Sequence, residues 1–197
     1  MFHDSVQRKN PRNSNDMTAH LILGGARSGK SRHAETLARN SGLPVTVIVT
    51  AEALDAEMAD RIRRHREDRP AAWRVVETPV ALADALRDEA GAGRCVIVDC
   101  LTLWLMNLMA GADALPAPLH ADHLPRLLVE RAALLDCVPN LPGQILLVAN
   151  EVGLGLVPET PLGRLFRDEA GRLNQALAAV CERVTFVVAG LPLALKG

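Results

Sequence analysis

The sequence of 197 residues has no tyrosine, and its aromatic rings are confined to three phenylalanines and two tryptophans. A single-stranded nucleic-acid platform of stacked rings is therefore not expected. Cysteine is sparse as well. Cys95, Cys100, Cys137 and Cys181 are scattered and form no C-x-x-C pair, so neither a zinc site nor a disulfide framework is indicated. Buried free thiols in a reducing cytoplasm are the simpler expectation. No sign of charge dominates. The net charge of −1 argues against bulk binding to nucleic acid or to an anionic membrane. The longest nearly apolar run, Cys95 to Ala110, is broken by Asp99 and Asn107 and is too short to span a membrane. Arg8, Lys9 and Arg12 lie near the N-terminus without the apolar segment of a signal peptide.

What is present is a chain that is 49% hydrophobic and of single-domain length, enough to bury roughly 70% of the surface of its unfolded form. Residues 1–17 are polar and read as a disordered leader, and 18–197 as the folded domain.

One stretch organises the rest. Gly24-Gly25-Ala26-Arg27-Ser28-Gly29-Lys30-Ser31 reads G-x-x-x-x-G-K-S, the P-loop pattern. The apolar run Leu21–Leu23 before it suits a buried strand, and Ser31 to Asn40 after it suits a helix. The glycines let the backbone curl so that successive N–H groups point at phosphate oxygens, and the helix adds its positive dipole end. In that geometry Lys30 reaches the β/γ-phosphates and the Ser31 hydroxyl binds a magnesium ion. The signal specifies nucleoside triphosphate binding, not what is done with the nucleotide.

Strands and helices alternate along the chain. Pro44–Thr50 is β-branched and reads as a second strand, with Thr50-Ala51-Glu52 at its carboxyl end, where ligands bind in open α/β sheets. In 54–66 the stripe Leu54, Met58, Ile62 predicts a helix with His65 on the same side in its last turn. Periodicity alone reads Arg61, Arg63, Arg64, Arg66 and Arg69 as a solvated face paired with Glu57, Asp60, Glu67 and Asp68. It reads His65 as a helix-end histidine satisfied by carbonyls. Trp73–Glu77 is a short strand, and Thr78-Pro79 predicts a helix with Thr78 as N-cap, ending at Gly91 and Gly93. Arg94–Val98 is an apolar strand closed by Asp99, the Walker B pattern, whose carboxylate helps hold magnesium. Helices follow at 101–109 and 124–137, a strand at 144–149, a glycine-broken loop at 152–159, a helix at 163–180 and a last strand at 183–189. The apolar strands predict one α/β domain of the P-loop NTPase type (RecA-like), a mostly parallel sheet with helices on both faces.

Three pieces together carry a family resemblance. They are the P-loop through Arg32, the block Arg61 to Pro70 with Trp73, and Asn150-Glu151-Val152-Gly153 through Val157-Pro158-Glu159 with Phe166-Arg167-Asp168 and Asn174-Gln175. From about Leu21 to Ala189 the chain resembles the bifunctional adenosylcobinamide kinase/adenosylcobinamide-phosphate guanylyltransferases of cobalamin biosynthesis. The resemblance implies two reactions: phosphorylation of adenosylcobinamide by GTP or ATP, then transfer of GMP from GTP to that phosphate through a covalent guanylyl-histidine. It places that histidine at His65. It implies nucleotide contacts in the P-loop, at Val49, Thr50 and Ala51, at Arg66, Glu67, Asp68 and Arg69, at Glu77 and at Asp99, and a cytoplasmic homotrimer with active sites near subunit interfaces. Arg64 stands where some members carry a second histidine, which leaves one candidate nucleophile in the block.

The chemistry agrees. Attack on an α-phosphorus needs a neutral imidazole nitrogen, and neighbouring arginines offset phosphate charge and depress the histidine pKa. Asn150, Glu151 and Asp168 stay open between holding the corrinoid and shaping a loop and subunit contact. Two other readings keep Lys30, Ser31 and Asp99 but leave His65 idle: a kinase for another small alcohol, and a GTP-binding regulatory module.

Overall fold

A computed structural model describes residues 18–52, 69–115 and 118–197. The leader, the helix expected at 54–66, and His65, Arg66, Glu67 and Asp68 lie outside the described residues.

Among the described residues seven strands form one sheet: β1 Thr18–Gly24, β2 Val45–Val49, β3 Arg74–Glu77, β4 Cys95–Asp99, β5 Gln144–Asn150, β6 Arg183–Val188 and β7 Leu191–Lys196. Their order is β3-β2-β4-β5-β1-β6-β7. The first six pair in parallel, and β7 runs antiparallel on β6. The interior strands are buried on both faces, which is why they read as unbroken apolar runs rather than alternating ones.

Among the described residues the helices divide unequally. α1 (Lys30–Ser41) covers one face, where Ala34 and Ala38 meet Ile22, Val47, Ile97 and Val148. Small residues there let the helix sit close to the strands. The other face carries α2 (Leu82–Glu89), α3 (Leu101–Leu108), α4 (Pro125–Cys137) and α5 (Pro161–Val180). Their Leu86, Trp104, Leu127, Leu134 and Leu173 join Leu21, Leu23, Val96 and Leu147 in the larger core. Each leucine fully removed from water contributes about 2–3 kcal/mol. Trp104 is fully buried, and its ring N–H donates to the Val80 carbonyl at 2.6 Å. Among the described residues no helix is long and apolar enough to cross a membrane.

Two expectations need correction. Thr78 does not cap a helix. Its N–H donates to Val49 O at 2.9 Å and so prolongs the β2–β3 ladder, and α2 begins at Leu82 after Ala81 with no side-chain cap. The competing ladder satisfies Thr78, and the chain turns only after Pro79. The second concerns β7, an element the sequence reading did not anticipate. Pro192 argues against a strand, but β7 is an edge strand, and there a missing N–H costs no ladder bond.

The turn between β6 and β7 has two residues, Ala189 at φ 50° and Gly190 at φ 81°, with Val188 opposite Leu191. This is the type I′ geometry that matches strand twist. Lys196, at the end of β7, donates to the carbonyls of Ala178, Ala179 and Cys181 at 2.6–3.1 Å and satisfies the C-terminal end of α5.

Candidate functional site

The sheet's carboxyl edge gathers those predicted residues that the structure describes; His65, Arg66, Glu67 and Asp68 are not among them. β1 delivers Gly24 beside Asn150 of β5 and Val187 of β6. Gly24 has no room for a side chain, since a Cβ would lie 2.6 Å from the Val187 carbonyl oxygen and also strike Ser28 Oγ. The loop then turns through Arg27 at φ 57° and Gly29 at φ 95°, both left-handed. Ser28 N–H donates to Gly25 O at 3.2 Å, and α1 starts with His33 N–H donating to Gly29 O at 2.9 Å. Gly25, Ala26 and Arg27 are left accessible at the mouth, while Lys30 is buried beneath it. Lys30 Nζ donates back to the Gly25 carbonyl at 3.1 Å, so the ammonium already lies across its own loop.

The β6–β7 turn closes the back of this loop. Gly190 N–H donates to the Ser28 carbonyl at 2.8 Å, and a Cβ on Gly29 would lie 3.2 Å from Gly190 Cα. Sequence reasoning missed this contribution. The signal was the Ala-Gly pair between two apolar runs.

The second half of the site comes from α1, β4 and the segment before β3. Ser31, in the first turn of α1, places its hydroxyl 3.5 Å from Asp99 Oδ1, at the end of β4. Arg69 Nη2 donates to Asp99 Oδ2 at 2.7 Å, and Arg69 Nε lies 3.9 Å from Glu35 Oε1. The Arg69 side chain is only 6% exposed. Glu35 was also missed, although it stands one helical turn after Ser31 and so shares its face. A hydroxyl and a carboxylate oxygen this close are the hard donors that fit a magnesium ion, which takes few protein ligands and the rest from phosphates and water. Among the described residues no group of three His, Cys, Asp or Glu side chains is placed to hold a metal.

Of the remaining predicted residues, those that the structure describes lie along the same edge. Register puts Glu77, Val49, Asp99 and Val148 in one row across β3, β2, β4 and β5. Glu77 is exposed there, and Ala51 is partly open. Val49 and Thr50 are buried. The Thr50 hydroxyl donates to Cys100 O at 2.6 Å and accepts from Cys100 N–H at 3.1 Å, and Asn107 Nδ2 donates to Thr50 O at 2.7 Å and to Pro79 O at 3.0 Å. These bonds brace the loops around Asp99. Burial and the adjacent Asp99 push the Cys100 thiol pKa up, so it is not a ready thiolate nucleophile. Asn150, kept open above, accepts at its carbonyl from Asn174 at 3.4 Å and donates its N–H to Thr102 Oγ1 at 2.7 Å. Glu151 Oε1 accepts from Gly153 N–H, an interaction that shapes its own loop. Asp168 lines a groove of about 660 Å³ between 118–121 and α5, with Leu119, His120, Arg164 and Leu165.

Comparison with known proteins gives consistent results. Residues 20–195 match the family model described as cobinamide kinase / cobinamide phosphate guanyltransferase. The chain is 59% identical over 177 residues to the bifunctional adenosylcobalamin biosynthesis protein CobP of Pseudomonas aeruginosa, covering 90% of this chain and 96% of that protein. It is 41% identical over 179 residues to the bifunctional adenosylcobalamin biosynthesis protein CobU of Escherichia coli, covering 89% and 98%. A solved structure titled as a structural study of PH0250 from Pyrococcus horikoshii superposes with a TM-score of 0.50 at 11% identity, covering 91% of this chain and 86% of that one, a likeness of fold alone.

Proposed function

This chain belongs to the cobinamide kinase / cobinamide phosphate guanyltransferase family, a bifunctional enzyme of cobalamin biosynthesis, and on that premise we propose how its residues divide the two reactions. In the first, the aminopropanol hydroxyl oxygen of adenosylcobinamide attacks the γ-phosphorus of GTP or ATP. The bond to the β–γ bridging oxygen breaks, the nucleoside diphosphate leaves and the hydroxyl proton passes to solvent. In the second, an imidazole nitrogen of His65 attacks the α-phosphorus of GTP and pyrophosphate leaves. A phosphate oxygen of adenosylcobinamide phosphate then attacks the bound GMP, giving adenosylcobinamide-GDP and freeing His65.

The observation that carries the phosphoryl-transfer half is that Lys30 lies under the loop, bonded to the Gly25 carbonyl, while the next residue, Ser31, sits 3.5 Å from Asp99. Lys30 serves the β/γ-phosphates. Ser31 and Asp99 would be the protein ligands of a magnesium ion, which when bound would supply positive charge against the phosphates. Gly24 to Gly29 cradle the phosphates through backbone N–H groups. Val49, Thr50, Ala51, Arg66, Glu67, Asp68, Arg69 and Glu77 complete the nucleotide site, as the family resemblance implies. The same resemblance supports a homotrimer, while the scattered free cysteines suit a cytoplasmic protein and the near-zero net charge and scarce aromatics argue against a nucleic-acid partner.

The covalent step is tested by trapping. Wild-type protein incubated with GTP labelled in its α-phosphate should retain one GMP in an acid-labile, base-stable bond, the signature of a phosphoramidate. His65→Ala should lose both the label and adenosylcobinamide-GDP formation while still phosphorylating adenosylcobinamide. Label that persists in that variant, or that survives acid, would move the nucleophile elsewhere.

A further inference from the structure

We infer that Arg69 is the resident counter-cation of Asp99 in the nucleotide-free chain and must be released before the carboxylate can take a divalent metal. The inference rests on the reading of Asp99 as a metal ligand, and its test separates the two.

Asp99 has two oxygens, and one of them already carries a cation. Oδ2 accepts from Arg69 Nη2 at 2.7 Å, and Oδ1 faces the Ser31 hydroxyl at 3.5 Å. A magnesium ion approaches a carboxylate oxygen to about 2.0–2.1 Å, which would put a divalent cation beside a guanidinium that cannot lose its proton. The pair lies in a narrow void lined by Ser31, Glu35, Val47, Arg69, Ile97 and Asp99, where water screens the repulsion poorly. Both cations therefore cannot hold the carboxylate at full strength.

The other contacts of Arg69 suit release. Among the described residues its Nε is buried without a hydrogen-bond partner, and Glu35 stands 3.9 Å away, a loose ion pair rather than a bidentate clamp. Among the described residues the guanidinium thus has one short bond, to the very group the metal needs. An incoming triphosphate supplies what bare metal lacks, namely further oxygen ligands for the cation and a new anionic partner for Arg69. Asp99 then accepts metal together with nucleotide and not before. Arg69 acts through Asp99, as a positioning residue.

Manganese, a paramagnetic stand-in for magnesium, is titrated into the full chain by electron paramagnetic resonance, with and without a nonhydrolysable GTP analogue. Without nucleotide, Arg69→Gln should bind manganese about tenfold more tightly than wild type. Arg69→Lys, which keeps a cation, should stay within about threefold. The gain should vanish in Arg69→Gln with Asp99→Asn, and shrink once nucleotide is present. Equal affinity of wild type and Arg69→Gln without nucleotide would overturn the inference, as would an equal gain in Arg69→Lys. A measurement that needs no Arg69 variant uses Asp99→Asn alone. It should leave nucleotide-free manganese binding unchanged, because the acid is already occupied, and should weaken manganese binding in the nucleotide complex. Weaker nucleotide-free binding in Asp99→Asn overturns the role of Arg69. Unchanged binding in the nucleotide complex instead overturns the reading of Asp99 as a metal ligand.

Discussion

Lys30 is buried and bonded to the Gly25 carbonyl, so its ammonium is held over the loop before any phosphate arrives. That pre-organisation is the kind that matters most for phosphoryl transfer, where the protein mainly positions and neutralises. Lys30→Ala should lower kinase turnover by at least about a hundredfold, with the fold retained by circular dichroism; full phosphoryl transfer in that variant would reject this site. Lys30, Ser31 and Asp99 were readable in the sequence because motif and flanking elements fix each of them. The bond from Arg69 to Asp99 was not. Nothing local joins these two residues, which meet because β3, β2 and β4 pair in one register and Arg69 lies ahead of β3.

At the scale of elements, the P-loop is moulded from two sides, by its own helix and by the β6–β7 hairpin. The sequence conveyed the first through its glycines and hid the second behind Pro192. The false helix cap at Thr78 has a similar origin, since local preference was outbid by a ladder bond to a strand distant in sequence. Ala189 holds a left-handed φ of 50° at the first position of the type I′ turn, where asparagine is favoured. Ala189→Asn should therefore stabilise the protein by roughly 0.5–1 kcal/mol and raise the melting temperature by about 2 °C. Gly190 allows no such freedom. At φ 81° and bonded to Ser28, it should not tolerate valine, and Gly190→Val should weaken nucleotide binding several-fold while the sheet still forms. Isothermal titration with GTP checks this, and unchanged affinity would mean the hairpin does not shape the loop.

For the whole molecule, the alternation of apolar strands with helices was enough to foresee a parallel sheet covered on both faces. The strand order was not legible, because it depends on crossovers that composition does not encode. The covered sheet also carries a pH dependence. His20 is buried on β1, with Nε2 2.8 Å from Thr185 Oγ1. Burial first, then Arg183 and His33, lower its pKa from 6.5 to about 4. Between those values the unfolded chain takes up a proton that the folded chain refuses. The contribution of His20 should thus be constant above pH 6.5 and should lower stability as pH drops toward 4, by up to roughly 3 kcal/mol. Urea unfolding at pH 7 and pH 4.5 should show this loss, and His20→Gln should remove most of it. The four buried cysteines have a different use. Burial pushes the thiols of Cys95, on β4, and Cys181, ahead of β6, up to about 12, and raises Cys100 and Cys137 as well. A thiol that is both hidden and protonated ignores an aromatic disulfide reagent until the chain around it opens. The protein therefore carries its own clock. The rate at which its sulfurs are labelled counts openings of the sheet, and a shared rate for Cys95 and Cys181 would mean that both sides of the P-loop strand come apart in a single event.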